Sequence, residues 1–159
     1  MSYEIKPILF AFDPGARSIA WARFECARLV ACGYVDAKTV DELQRAIEVT
    51  NVRGREAVIE LPQVYQQRAW KGDPNDLIAV AVTVGRIAAE VGAGGLVRLV
   101  RPHGWKGSTP KDVMTARIES KLLTEESKIL HCANIPRAKR HNAIDAIGLG
   151  LWALGRLAR

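Results

Sequence analysis

Between Ile8 and Tyr34 the chain carries three apolar runs of strand length, Ile8–Phe12, Ile19–Glu25 and Leu29–Tyr34, separated by only a few residues each. Connections this short can join only antiparallel neighbours, so the chain must open as a three-stranded meander. The first run stops at Asp13-Pro14-Gly15, where Pro and Gly at the central positions predict a type II turn.

Past the third run the rhythm changes. Thr39-Val40-Asp41-Glu42 reads as a capping box, and Val40, Leu43, Ala46 and Ile47 continue it at helical spacing to about Thr50. The run Ala57-Val58-Ile59, ending at Glu60-Leu61-Pro62, is then a strand reached through a helix. It should lie parallel to its neighbour by a right-handed crossover. A polar stretch, Gln63 to Asn75, precedes a helix from about Asp76 to Val91, closed by Gly92, and Leu96 to Val100 is a fifth strand. A loop from Arg101 to Ser108 leads to Thr109-Pro110-Lys111-Asp112, where Thr suits a cap and Pro the first helical position of a helix to about Leu123. A short helix around Glu125–Leu130 and a basic connector, Pro136 to Arg140, lead to a last helix beginning near His141 and apolar to Leu157. Three antiparallel strands followed by alternating helix and strand is the element order of the RNase H-like α/β fold: a mixed five-stranded sheet flanked by helices. Fold alone does not give function.

The 159 residues, 48% hydrophobic, suffice for one ordinary core, so a single domain over 1–159 is expected. Lys and Arg number 23 against 17 Asp and Glu, a net +6 with a pI near 9.5, which suits a polyanionic partner such as nucleic acid. The cysteines, Cys26, Cys32 and Cys132, are odd in number and lack metal-site spacing, so they read as thiols of a reducing cytoplasm. No apolar run approaches the ~18 residues of a membrane span, and the start reads as no secretory signal, so a cytoplasmic protein is expected.

Acidic side chains that interrupt apolar runs cost free energy unless something pairs with them. Asp13 ends the first strand, Glu60 the fourth, and Asp145 interrupts Ala143-Ile144-Asp145-Ala146-Ile147. If the first and fourth strands are parallel neighbours, the first two carboxylates emerge side by side at the end of the sheet where α/β folds place ligands. The last helix can then lay Asp145 across them. Carboxylates converging this way repel by about 4 kcal/mol per close pair at an effective dielectric of 20, and a divalent cation relieves it. Oxygen ligands favour Mg²⁺ or Mn²⁺, and two such ions, about 3.5–4 Å apart, suit phosphodiester hydrolysis. Each acid also has a structural reading: Asp13 as a turn starter, Glu60 as a strand-end surface group, Asp145 as the partner of an Asn142 cap.

The blocks ILFAFDPGARSIAWA, AVIELPQVY, VGRIAAEV, RPHGWKGSTPKDVMTARI and RHNAIDAIGLGLWAL resemble, in order and spacing, those of RuvC-like Holliday junction resolvases over nearly the full length. The resemblance implies that Asp13, Glu60 and Asp145 are metal ligands, and that the protein is a homodimer nicking opposed strands of a four-way DNA junction. One position departs from the family. Three residues before the last acid, where the family has Asp or His, this chain has Asn142, with His141 one residue earlier. Both spacings stay near the face of Asp145. Imidazole is the better Mn²⁺ ligand, so His141 is expected at the metal and Asn142 as a helix cap or alternative ligand.

Lys111 stands in the first turn of its helix, where the macrodipole disfavours a cation, and a phosphate partner would explain it. Lys106 and Lys111 are therefore the expected phosphate contacts, with Trp105 in the core as the structural alternative. Arg137, Lys139 and Arg140 are candidates to extend the basic track. Tyr65 and Arg68, beyond Glu60, are candidates to stack on or contact DNA. The helix Leu77–Val91 is apolar almost all round, with Thr83, Arg86 and Glu90 as its polar stripe, so a second copy is the expected cover, with Gly85 allowing close approach. Two rival readings share these residues: a nuclease of the same fold acting on RNA, hybrid or other branched DNA, and a non-catalytic DNA-binding protein.

Overall fold

A computed structural model describes residues 7–63 and 73–158. The meander is there: β1 (Ile8–Pro14), β2 (Ser18–Glu25) and β3 (Arg28–Asp36) pair antiparallel. The β2–β3 hairpin closes through Cys26 and Ala27, both at positive φ (50° and 62°), the backbone that a two-residue hairpin turn with right-handed twist demands. Helix α1 (Val40–Val49) then carries the chain over to β4 (Glu56–Glu60), which lies parallel to β1. After α2 (Pro74–Val91), β5 (Leu96–Val100) lies parallel to β4, so the sheet order is β3-β2-β1-β4-β5. Short α3 (Pro102–Lys106), α4 (Lys111–Lys121), α5 (Thr124–Cys132), a 3₁₀ turn at Arg137–Lys139 and α6 (Arg140–Ala153) complete the chain. This is the mixed five-stranded RNase H-like arrangement expected from the element order. No helix among the described residues is long and apolar enough to cross a membrane.

Strand alternation sorts side chains into two cores. Phe10, Phe12, Ile19, Ala57 and Ile59 face α1 and α2, where they meet Leu43, Ile47, Val84, Ile87 and Val91. Leu9, Ala11, Ala20, Ala22, Phe24 and Val58 face the other way, toward Met114, Ile118, Ile144, Ile147 and Leu151 of α4 and α6. Each fully buried large side chain is worth about 1.5–3 kcal/mol. Two glycines let α6 approach this closely: a Cβ on Gly148 would collide with Ile118, and one on Gly150 with Phe24.

The structure corrects several local expectations. No type II turn forms at Asp13-Pro14-Gly15: β1 runs on through Pro14, Gly15 is not at positive φ, and the turn closes one step later through Gly15 N donating to Ser18 O at 2.8 Å. Pro14 lies past the last residue paired with β4, where one strand neighbour remains, and a strand tolerates proline there. The expected loop 101–108 contains the single turn of α3, opened by Pro102 at a helix-compatible first position. Thr109 is not a cap; Pro110 precedes α4 without a side-chain cap bond. Asn142 is not a cap either. The 3₁₀ turn runs straight into α6, so the helix starts at Arg140 behind Lys139, and Asn142 is its third residue.

The polar stripe of α2 turns inward and toward α1. Thr83 is buried and donates to Ala79 O, Arg86 reaches Gln44 of α1 at 3.4 Å, and Glu90 accepts from Arg53 and Gln44. Past its first turn, what α2 turns outward is apolar: Ile78 (64% exposed) and Val82 (52%), with Ala81, Gly85 and Ala89 between and beyond them. Val84 is on the sheet side, 5% exposed.

Candidate active site

Parity and register bring the acids together. On β1, Leu9, Ala11 and Asp13 share a face, and on β4 Val58 and Glu60 share one. Leu9, Ala11 and Val58 all belong to the core under α6, so Asp13 and Glu60 point toward that helix. The parallel register pairs Phe12 with Ile59, which makes Asp13 and Glu60 the next residues along two adjacent strands. Helix α6 packs on β1 and β2 and presents Asp145 from its second turn. All three carboxylates are only partly exposed.

Between them sits a cation. Lys106, the last residue of α3, places Nζ 3.4 Å from Glu60 Oε2 and 3.2 Å from Asp145 Oδ2. The same ammonium lies 4.7 Å from the ring centroid of Trp105. Trp105 is buried, and its indole Nε1–H donates to Glu60 Oε2 at 2.6 Å.

One ammonium does not balance three carboxylates. Asp13 is pushed well above the usual carboxylate range, by burial first and then by the charges of Glu60 and Asp145, against the pull of Lys106 and Lys111. Glu60 is also raised, by burial above all; Lys106 and the Trp105 hydrogen bond oppose this, and Asp145 adds to it. For Lys106 burial works against the charge, yet Glu60, Asp145 and Asp13 together raise its pKa and keep it an ammonium. The pocket is thus short of positive charge, and its donors are oxygens. That donor set fits Mg²⁺ or Mn²⁺. Among the described residues no three His, Cys, Asp or Glu side chains are drawn into a ready ligand set, and Lys106 stands where they would have to meet.

The remaining sequence candidates fall into four groups. His141 and Asn142 are half-buried in the first turn of α6, four and three residues before Asp145. Lys111 opens α4 close enough to Asp13 to lower its pKa. Tyr65 and Arg68 lie outside the described residues. The basic connector reaches the same end of the sheet: Asp13 pairs with Ala20 and Ala20 with Tyr34, and Lys139 Nζ sits 5.7 Å from the Tyr34 ring centroid. Two strand spacings put Tyr34 roughly 10 Å from Asp13. Sequence reasoning missed that Trp105 bonds a candidate acid and that Lys106 turns inward; the only hint was a tryptophan–lysine pair flanked by glycines that free the backbone around it.

No family model matches the chain, and no curated protein matches it either. Solved structures do. The Thermus thermophilus RuvC structure superposes with a TM-score of 0.59 at 14% identity, over 94% of this chain and 97% of that one. The fowlpox virus Holliday junction resolvase gives 0.59 at 16%, over 94% and 99%. Its complex with substrate Holliday junction DNA gives 0.60 at 18%, over 96% and 99%. At such identities the likeness is one of fold, and it extends over nearly the whole length of each chain.

Proposed function

Because the chain shares its fold end to end with RuvC and the fowlpox virus resolvase, we propose that it is a metal-dependent endonuclease that nicks four-way DNA junctions. The observation that carries this reading is the surplus of half-buried carboxylate at the end of β1, β4 and the second turn of α6. Asp13, Glu60 and Asp145 would hold one or two Mg²⁺ or Mn²⁺ ions, with His141 as the further ligand and Asn142 as its alternative. The ions, when bound, supply the positive charge that phosphodiester hydrolysis needs as the attacking water and the departing oxygen become negative. The protein's own cations do the rest. Lys106 offsets part of the pocket's negative charge until substrate arrives and then has a phosphate to turn to. Lys111, Lys139 and Arg140 line the approach to Asp13, while Tyr65 and Arg68, beyond Glu60 in the sequence, are assigned to DNA contact.

A second copy on the outward stripe of α2, Ile78, Val82 and the small residues around them, would give a two-fold dimer and two sites for opposed strands. Val82→Glu then yields a folded monomer by sizing and circular dichroism; a dimer that survives it lies elsewhere.

The deciding experiment incubates the protein with labelled four-way junction, linear duplex and RNA:DNA hybrid, with Mg²⁺ or with EDTA. Paired nicks in the junction, absent with EDTA, are expected. Equal cutting of duplex leaves a nuclease of other specificity, preference for hybrid moves the substrate to RNA, and binding without cutting by wild type makes it a non-catalytic junction binder.

A further inference from the structure

We infer that Trp105 is a positioning residue for the carboxylate site, holding Glu60 so that one of its oxygens is committed to the protein and the other is presented to the cation. The inference rests on the metal-dependent reading of the site and concerns how that site is held.

Three contacts of one side chain carry it. First, the indole Nε1–H reaches Glu60 Oε2 at 2.6 Å, and Lys106 Nζ approaches the same atom at 3.4 Å, so both donors converge on Oε2 and neither on Oε1. A carboxylate with one oxygen so held has a fixed orientation. Second, the ring is the floor under Lys106, whose ammonium lies 4.7 Å from the ring centroid, within cation–π range. Third, the far rim of the indole wedges against α6, where a Cβ on Gly148 would come within 2.9 Å of Trp105 Cζ3. Gly148 is three residues past Asp145, nearly one turn along the same helix. The indole therefore touches the β4 carboxylate, the ammonium and the helix that brings the third acid, and it sets the gap between them.

Packing alone does not require this residue. A buried ring of similar size without a donor would fill the space, whereas an indole that is 1% exposed must find an acceptor for its N–H. Here the acceptor is a charged candidate ligand, although backbone carbonyls are the commoner partners of buried donors.

Trp105→Phe removes the N–H and keeps most of the ring. Calorimetric titration of the full-length protein with Mn²⁺ should show binding about tenfold weaker or more, the loss typical when a partner that orients a ligand is removed. Junction nicking should fall at limiting Mn²⁺ and recover at saturating Mn²⁺, with an unchanged circular dichroism spectrum. Ile118→Val, which trims another side chain packed on Gly148, serves as the control and should leave Mn²⁺ affinity alone. In the unmodified protein, the Trp105 indole N–H resonance should move most of the four tryptophans when Mg²⁺ is added. This arm needs no variant to fold. Wild-type Mn²⁺ affinity in Trp105→Phe, equal weakening by Ile118→Val, or a stationary Trp105 resonance overturns the inference while leaving the nuclease intact. A wild-type protein that binds no divalent cation overturns both.

Discussion

The protein buries two charged clusters, and they are built on opposite plans. At one end of the molecule Glu126, 2% exposed, is gripped by Arg156 through two hydrogen bonds of 2.6 and 2.7 Å and accepts the backbone N–H groups of Leu29 and Leu123. Arg156 also donates to Ala27 O and Lys121 O. Burial alone would raise the Glu126 pKa, but the Arg156 bond and the two backbone donors outweigh it and bring the group down to about 2. At the other end, Asp13, Glu60 and Asp145 share one ammonium, and burial with mutual repulsion drives Asp13 and Glu60 upward. The first cluster is closed: every charge has its partner inside the chain, and it ties β3, α4, α5 and the C-terminal segment together. The second is open, and on the proposed function its missing partner is a divalent cation. Both structural ion pairs and functional sites perturb carboxylates, and here the direction of the shift tells the two clusters apart.

The sharpest way to break the contrast is to neutralise one acid in the open cluster. Asp13→Asn should lower junction nicking by at least about 10³-fold, the scale on which removal of an essential catalytic group acts, while junction binding persists. The same change should raise the melting temperature of the metal-free protein, because it removes a charge the fold holds at a cost. A cut rate equal to wild type would place the chemistry elsewhere.

The closed cluster should respond with the opposite sign. Arg156→Met leaves Glu126 buried without its counter-ion, a loss of about 3–5 kcal/mol. At about 2–4 °C per kcal/mol for a chain of this size, calorimetry should register a fall of roughly 6–20 °C. A melting temperature unchanged by Arg156→Met would mean the pair is ornamental.

Acid sharpens the comparison further. Because the folded pKa of Glu126 is depressed, its contribution is fully present above the unfolded value near 4.5 and drains away as pH falls toward about 2. The shift corresponds to about 3 kcal/mol. Denaturant titrations stepped from pH 5 to pH 2.5 should show this loss in wild type and a flatter acid limb in Glu126→Gln. Parallel limbs would remove Glu126 from the acid transition.

The smallest effect is expected at the rim. Lys111→Ala should weaken junction binding a few-fold and reduce the slope of log affinity against log salt by about one, as for a single phosphate contact. Lys106→Ala should change that slope less in the free protein, because the side chain is engaged with Glu60 and Asp145 before DNA arrives. Equal slopes for wild type and Lys111→Ala would return Lys111 to the solvent.

Much of this architecture is legible in the residues themselves. The strands are apolar runs, so their number and order can be read, and the acids at their ends stand out as charges out of place. Asp13 and Glu60 can be matched because both end their strands at the carboxyl edge. Single-turn geometry is harder to see. The helix of Pro102–Lys106 contains Gly104 and is followed by Gly107, so it carries no apolar period and reads as a loop, and the inward turn of Lys106 comes from that helix. Pro14 argues for a turn because proline usually does, and only the short β1–β4 register shows why the strand continues. The starting point of α6 depends on a 3₁₀ turn that no local pattern announces. The members of the α2 stripe can be read, but not their partners: Arg86 and Glu90 reach α1 and its flanks.

The order in which the chain supplies its acids has a consequence for a cell making it. Asp13 and Glu60 leave the ribosome early, on strands that can pair as soon as α1 has crossed over, but Asp145 belongs to α6, which docks only when Gly148 and Gly150 have met Ile118 and Phe24. Arg156 fastens that helix in place from beyond its end. A partly synthesised chain therefore has two of its three acids and lacks the clasp that holds the third. On the proposed function, cutting power comes only once α6 and Arg156 have been made and docked.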